Sequence, residues 1–190
     1  MKKRIPKKIT LDSLEKSAIR YLEKYSASKN QLKTILKRKI IKTSFFYKTK
    51  PNKELEFIEL IINKFEKIGL INDKSFSENK ILNYIEKGYS KKKIIFNLKI
   101  KGISDKDIKN GFDNLKKSFF NYELTSALIY AKKKKLLDFN KKKENFARIQ
   151  KKLSKISQAG FSYEIAKKII NLNNEEEYLQ LKEYARNGLN

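Results

Sequence analysis

Apolar residues return along this chain at the spacing of one helix face, and no segment alternates in the strand period with hairpin turns beside it. Leu14, Ala18, Tyr21, Leu22 and Tyr25 fall at i, i+4, i+7, i+8 and i+11, which predicts a first helix from about Asp12 or Ser13. Ser28 is placed to cap a second helix carrying Leu32, Ile35 and Leu36. IIKTSFFYKTKPNK, from Ile40 to Lys53, contains Pro51 and shows no helical period, so it is read as the longest loop. Within it Phe45, Phe46 and Tyr47 are read as an inward-folded plug, against the alternative of a partner-facing aromatic cluster. Leu55, Ile58, Ile61, Ile62 and Phe65 then form the strongest amphipathic stripe of the chain, on a helix from about Lys53 to Ile68.

The stretch from Gly69 to Gly102 is the most clearly punctuated. Gly69, Gly88 and Gly102 stand where helices would stop, and Asn72, Asp73, Ser90, Ser104 and Asp105 stand where helices would start. Helices are predicted near 73–87, 90–101 and 105–118. In the middle one, Ile94, Ile95 and Leu98 lie on one side while Phe96 and Ile100 project opposite, so two apolar faces predict two neighbours. Phe119 and Phe120 open a further segment with helices near 121–136 and 142–158 and a third capped by Ser162. The apolar faces assigned to the last two are Phe146, Ile149, Leu153 and Ile156, then Ile165, Ala166, Ile169 and Ile170. A short terminal helix would have Glu175 to Glu177 at its positive end and Gly188 at its stop.

Aligning the chain with itself exposes a repeat. Ser28, Leu32, Leu36 and Lys39 recur as Ser90, Ile94, Leu98 and Lys101, and Ala18, Tyr21 and Leu22 recur as Ile81, Tyr84 and Ile85. A weaker third copy keeps the spacing of Leu98, Gly102 and Ser104 in Ile156, Gly160 and Ser162. The expected fold is therefore all-α: a tandem, elongated array of three three-helix units whose stacking hand the sequence does not specify. The expected boundaries are a basic flexible tail at 1–10, units at 11–70, 71–118 and 119–171, and a terminal helix and tail at 172–190.

Composition narrows the function. The chain has 190 residues, 46 basic against 21 acidic, a net charge of +25, and Arg at only five positions. Such a balance points to an anionic partner, although a lysine-rich compositional bias would produce part of it. The absence of Cys and His removes thiolate chemistry and the commonest general base and metal ligand. No apolar run approaches a membrane span and MKKRIPKKIT lacks the apolar segment of a signal peptide, so a soluble, cytoplasmic, monomeric protein is expected, without cofactor or membrane partner.

No constellation reads as an active site. Asp105 and Asp107 with Asn110 and Gly111 resemble a calcium loop only faintly, because Lys109 and Lys116 occupy positions that need oxygen ligands. A capped helix start accounts for the same letters. Lys91, Lys92 and Lys93 are more informative, since they fill a first helical turn where the macrodipole disfavours cations by roughly 0.3 to 1 kcal/mol each. An anion there would relieve the conflict, whereas the plain alternative is a solvated lysine-rich face. With Lys99 and Lys101 they flank the apolar faces of their helix and are taken as a docking surface for acidic side chains or phosphates. Lys133 and Lys134 are weaker candidates, because the run Lys132 to Lys135 would be spread around a whole helix.

At these residues the chain resembles the RecX family of regulatory proteins, which modulate the recombinase RecA. The likeness rests on GLIND with Phe76, on KGYS at Lys87 to Ser90, and on Leu98 through KGIS at Lys101 to Ser104 to Ile108. LDSLEKSAIRYL with Ser28 and Leu32, and AGFS at Ala159 to Ser162, extend it from about residue 11 to 171. The chain departs from the family's usual pattern in using Lys where members use more Arg, and in having Ile40 where a glycine would end the middle helix of the first unit. The resemblance implies a curved array lying in the groove of the RecA filament, inhibiting ATP hydrolysis and strand exchange, and hence recombination and SOS activity, without chemistry of its own. RecA and its DNA filament are then the partners, with single- or double-stranded DNA as a direct ligand. The alternative reading is a basic helical DNA- or RNA-binding module without RecA specificity.

Overall fold

The structure, a computed structural model, describes residues 6–115, 118–137, 139 and 145–188. Among these residues there are ten helices and no strand: α1 (Leu11–Leu22), α2 (Lys29–Tyr47), α3 (Asn52–Lys67), α4 (Asp73–Glu86), α5 (Lys91–Ile100), α6 (Asp105–Leu115), α7 (Tyr122–Lys133), α8 (Phe146–Gln158), α9 (Tyr163–Ile170) and α10 (Glu175–Asn187). The all-α fold follows from the periodicity and the caps. Thr10, Ser28, Asn121, Asn145, Ser162 and Asn174 each accept a backbone N–H at a helix start. Gly69, Gly88, Gly102 and Gly188, read as helix stops, have positive φ, and so does Gly160.

Two compact units are distinguished. The first runs to Phe76 and includes Lys101–Ile103; the second takes Ser77–Ile100 and the chain from Ser104. In the first, Leu14 and Ala18 of α1, Leu32, Leu36 and Ile40 of α2, and Ile58, Ile61, Ile62 and Phe65 of α3 share one core with Ile71. Burying each Leu, Ile or Phe side chain of this core contributes about 1.5 to 3 kcal/mol, far more than the exposed pairs Lys33–Glu59 and Lys29–Glu66 around them. Residues 6–10, expected as part of a free tail, lie against this unit. The Tyr47 hydroxyl donates to the Pro6 carbonyl at 2.6 Å, and Ile9 packs on the core.

The loop expected over 40–53 is mostly helix. α2 continues to Tyr47, and only Lys48 to Pro51 connect it to α3. The stripe of Leu32, Leu36 and Ile40 is carried on by Thr43, a polar residue at a core position, whose hydroxyl donates to the Lys39 carbonyl at 3.0 Å and so needs no other partner. The period is intact but does not look apolar. The expected plug fails with the loop, because Phe45 and Phe46 are carried to the outside and are exposed.

In the second unit α7, α8, α9 and α10 enclose Leu124, Ala127, Leu128, Ala131, Ile156, Phe161, Ala166, Ile169, Tyr178 and Ala185. α10 is held by backbone as well as by side chains: the Phe120 and Asn121 amides donate to the carbonyls of Arg186 and Ala185 at 3.1 and 2.7 Å. Ile94 and Leu98 of α5 and Ile108, Phe112 and Leu115 of α6 are buried, and the Ser77 hydroxyl donates to the Asp107 carbonyl. The second apolar face of α5 has no covering element among the described residues: Phe96 and Ile100 are 64% and 65% exposed. Phe146, assigned to the inner face of α8, is also exposed: the helix starts at it, and Ile149, Leu153 and Ile156 further on pack on or into the core. Residues 142–144, placed in that helix from the sequence, lie outside the described residues.

One contact is made in each unit by the serines that the repeat pairs. Ser28 Oγ donates to the Lys101 carbonyl, just before Gly102, and Ser90 Oγ donates to the Ala159 carbonyl, just before Gly160, both at 2.6 Å. Both serines are fully buried. Removing either hydroxyl loses a buried bond and leaves a carbonyl without that donor, a cost of about 1 to 2 kcal/mol. Ser90→Ala should therefore lower the melting temperature measurably more than Ser104→Ala, whose hydroxyl caps α6 at an exposed position. Equal losses would mean that Ser90 is only a cap.

Candidate functional site

Three segments of the second unit meet around the turn Lys87 to Ser90. Gly88 ends α4 with its amide on the Ile85 carbonyl at 2.8 Å, and the Tyr89 amide reaches the Tyr84 carbonyl at 3.0 Å, the paired bonds of a Schellman stop. The absence of a side chain at Gly88 lets α7 approach, since a Cβ there would stand 2.8 Å from the Tyr130 nitrogen and 2.9 Å from its Cα. The Ser126 hydroxyl donates to the Tyr89 carbonyl at 2.8 Å and fixes the same turn from the α7 side. From the other side comes the end of α8, tied by the bond between Ser90 and Ala159.

These junctions leave an open cavity of about 890 Å³. Lys87, Lys92, Lys93, Lys133, Lys134 and Lys155 line it together with Tyr89, Tyr130 and Gln158, and no acidic residue does among those described. Two of the lysines are held in place. Lys93 Nζ lies over the Tyr89 ring, 4.1 Å from its centroid, and Lys133 Nζ donates to the Glu86 carbonyl at 3.1 Å. Tyr89 is stacked in turn on Tyr84 with centroids 5.3 Å apart. Burial, and then the neighbouring Tyr89, push the Tyr84 hydroxyl above the usual tyrosine range.

Lys133 and Lys155 sit in the last turns of α7 and α8, where the helix dipole favours cations. Lys92 and Lys93 have no such reason, because they lie in the first turn of α5. Six lysines converging on one opening with no carboxylate among the described residues repel one another, and a bound anion would remove that cost.

Of the lysines singled out from the sequence, the structure brings Lys92, Lys93, Lys133 and Lys134 together and leaves three elsewhere. Lys91 lies over the Phe112 ring at 5.5 Å, Lys99 pairs with Asp105 at 2.8 Å, and Lys101 belongs to the first unit, where its carbonyl receives Ser28. Lys133 and Lys134 reach the cavity because α7 stops inside the lysine run, so the run does not wind around a full helical turn. Lys87 and Lys155 were missed. The motif KGYS carries the first, and Gly160, which must lie against Ser90, marks the segment that brings the second. Asp105 and Asp107 serve as an ion-pair partner and a capping partner, and no cluster of three potential ligands for a metal occurs among the described residues. No described helix is long and apolar enough to cross a membrane.

No family model matches the chain. It is similar to the regulatory protein RecX of Myxococcus xanthus (strain DK1622), with 29% identity over 172 residues that cover 88% of this chain and 89% of the relative. Among solved structures it resembles RecX from Lactobacillus salivarius, at 19% identity and a TM-score of 0.58 over 89% of this chain and 97% of that one. A second structure, of a regulatory protein RecX, is matched at 20% identity and a TM-score of 0.61, over 85% of this chain and 72% of that one. The two structural likenesses are of fold.

Proposed function

We propose that this chain, a member of the RecX family of regulatory proteins, acts on the recombinase RecA. In this reading it binds RecA and its DNA filament in the filament groove, as a cytoplasmic monomer built from three helical repeats, and restrains ATP hydrolysis and strand exchange. It has a regulatory role and performs no catalysis itself. The supporting observation is the cavity of the second unit, where four of the lysines expected to dock an anionic surface meet two more and, among the described residues, no acidic one. Acidic side chains of RecA, or phosphates of the DNA it carries, are the groups such a cavity would receive.

Adding the protein to RecA of the same organism on single-stranded DNA should lower ATP hydrolysis at or below one protein per RecA subunit. Proven binding to the filament with unchanged hydrolysis would leave only the second reading, a basic nucleic-acid-binding module. The overall charge of +25 favours that reading, and binding to naked DNA as tight as binding to the filament would support it.

A further inference from the structure

α2 carries six basic residues and no acidic one, and its two halves use them differently. In the N-terminal half, Lys29 and Lys33 pair with Glu66 and Glu59 of α3 at 2.8 and 2.7 Å. In the C-terminal half, Lys37, Arg38 and Lys42 are exposed, and among the described residues none of them has an ion-pair partner. Arg38, Ile41, Lys42 and Phe45 fall at i, i+3, i+4 and i+7, so they form one face, opposite the core stripe of Leu32, Leu36 and Ile40. Phe45 is 86% exposed, the most of any large apolar residue described. It stands clear although Tyr47, two residues on, is tied to Pro6.

We infer that this outer face of α2 binds single-stranded nucleic acid, with an unpaired base stacked on Phe45 and phosphates on Arg38 and Lys42. A solvated benzyl group between cations with no counter-charge is the arrangement that sequence-tolerant single-strand binders use, because every base offers a π-face and every linkage a negative charge. Duplex DNA would satisfy the cations but has no free base face for the ring. The site is separate from the lysine cavity, belongs to the other unit, and does not require RecA.

The test is fluorescence anisotropy of a labelled oligothymidylate with the full-length protein. Phe45→Ala should weaken binding about fivefold or more, and Phe45→Trp should restore it. Lys42→Gln should lower the slope of log affinity against log salt by about 0.7. Circular dichroism melts should be unchanged, since Phe45 supports no core. The loss in Phe45→Ala should persist in a protein whose cavity residues Lys92 and Lys134 are changed to Glu, so failure of the RecA reading and failure of this one remain distinguishable. The inference is overturned if Phe45→Ala binds the oligonucleotide as the parent does, or if a base-free polyphosphate binds equally well and responds equally to Phe45→Ala. It is also overturned if the substitution affects binding to anionic vesicles or to an acidic protein and spares the oligonucleotide.

Discussion

Replacing Gly88 with alanine should lower the melting temperature by roughly 5 to 15 °C, whereas Gly69→Ala should lower it by roughly 2 to 5 °C. Both glycines are left-handed, at φ +78° and +73°, so both substitutions carry the strain of an L-residue there, about 1 to 2 kcal/mol. They differ in what a Cβ would meet. At Gly69 nothing lies within 4 Å, while at Gly88 the obstacle is the Tyr130 backbone at 2.8 Å, which no side-chain rotation can clear. Moving α7 away from the turn should add about 1 to 3 kcal/mol, the usual range for overpacking. It should also open the wall that carries Lys133 and Lys134. Thermal melts of the two variants check this, and equal losses would show that α7 does not pack on the turn as described.

That turn also shows why some features were legible in the sequence and others were not. Ser28 and Ser162 are local signals, each accepting the amide three residues on, and the helices stop beside the left-handed glycines at 69, 88, 102, 160 and 188. α2 was misread because Thr43 and Ser44 fill buried positions with hydroxyls, one of them turned back onto its own helix, so a continuous stripe appeared to end. Phe96, Ile100 and Phe146 show the opposite error. Their spacing suits a core, but no described element covers them. The cavity depends on where α7 stops and on which segment the Ser90 hydroxyl reaches, and no periodicity encodes an approach between residues 69 positions apart. Of the three lysines in the dipole conflict, Lys92 and Lys93 line the cavity and Lys91 lies over the Phe112 ring instead.

The lysines of this cavity are proposed to dock the protein on an anionic surface of the RecA filament. Lys92 and Lys134 are the pair to reverse, because they come from different helix ends and neither side chain has a hydrogen bond or ring partner among the described residues. Their replacement by Glu should leave folding within about 0.5 kcal/mol, as exposed charge changes usually do. Filament affinity should fall at least about tenfold, equivalent to about 1.4 kcal/mol. The slope of log affinity against log salt should become shallower by about 0.7 for each phosphate of single-stranded DNA that the variant no longer neutralises. Lys106 and Lys109, exposed on α6 outside the cavity, provide the matched control pair. The decisive measurement is a titration of RecA filaments on single-stranded DNA with the parent and the two charge-reversed proteins over a range of salt. The expected result is a weakening confined to Lys92→Glu with Lys134→Glu; equal affinities for the cavity and control variants at every salt concentration would contradict it.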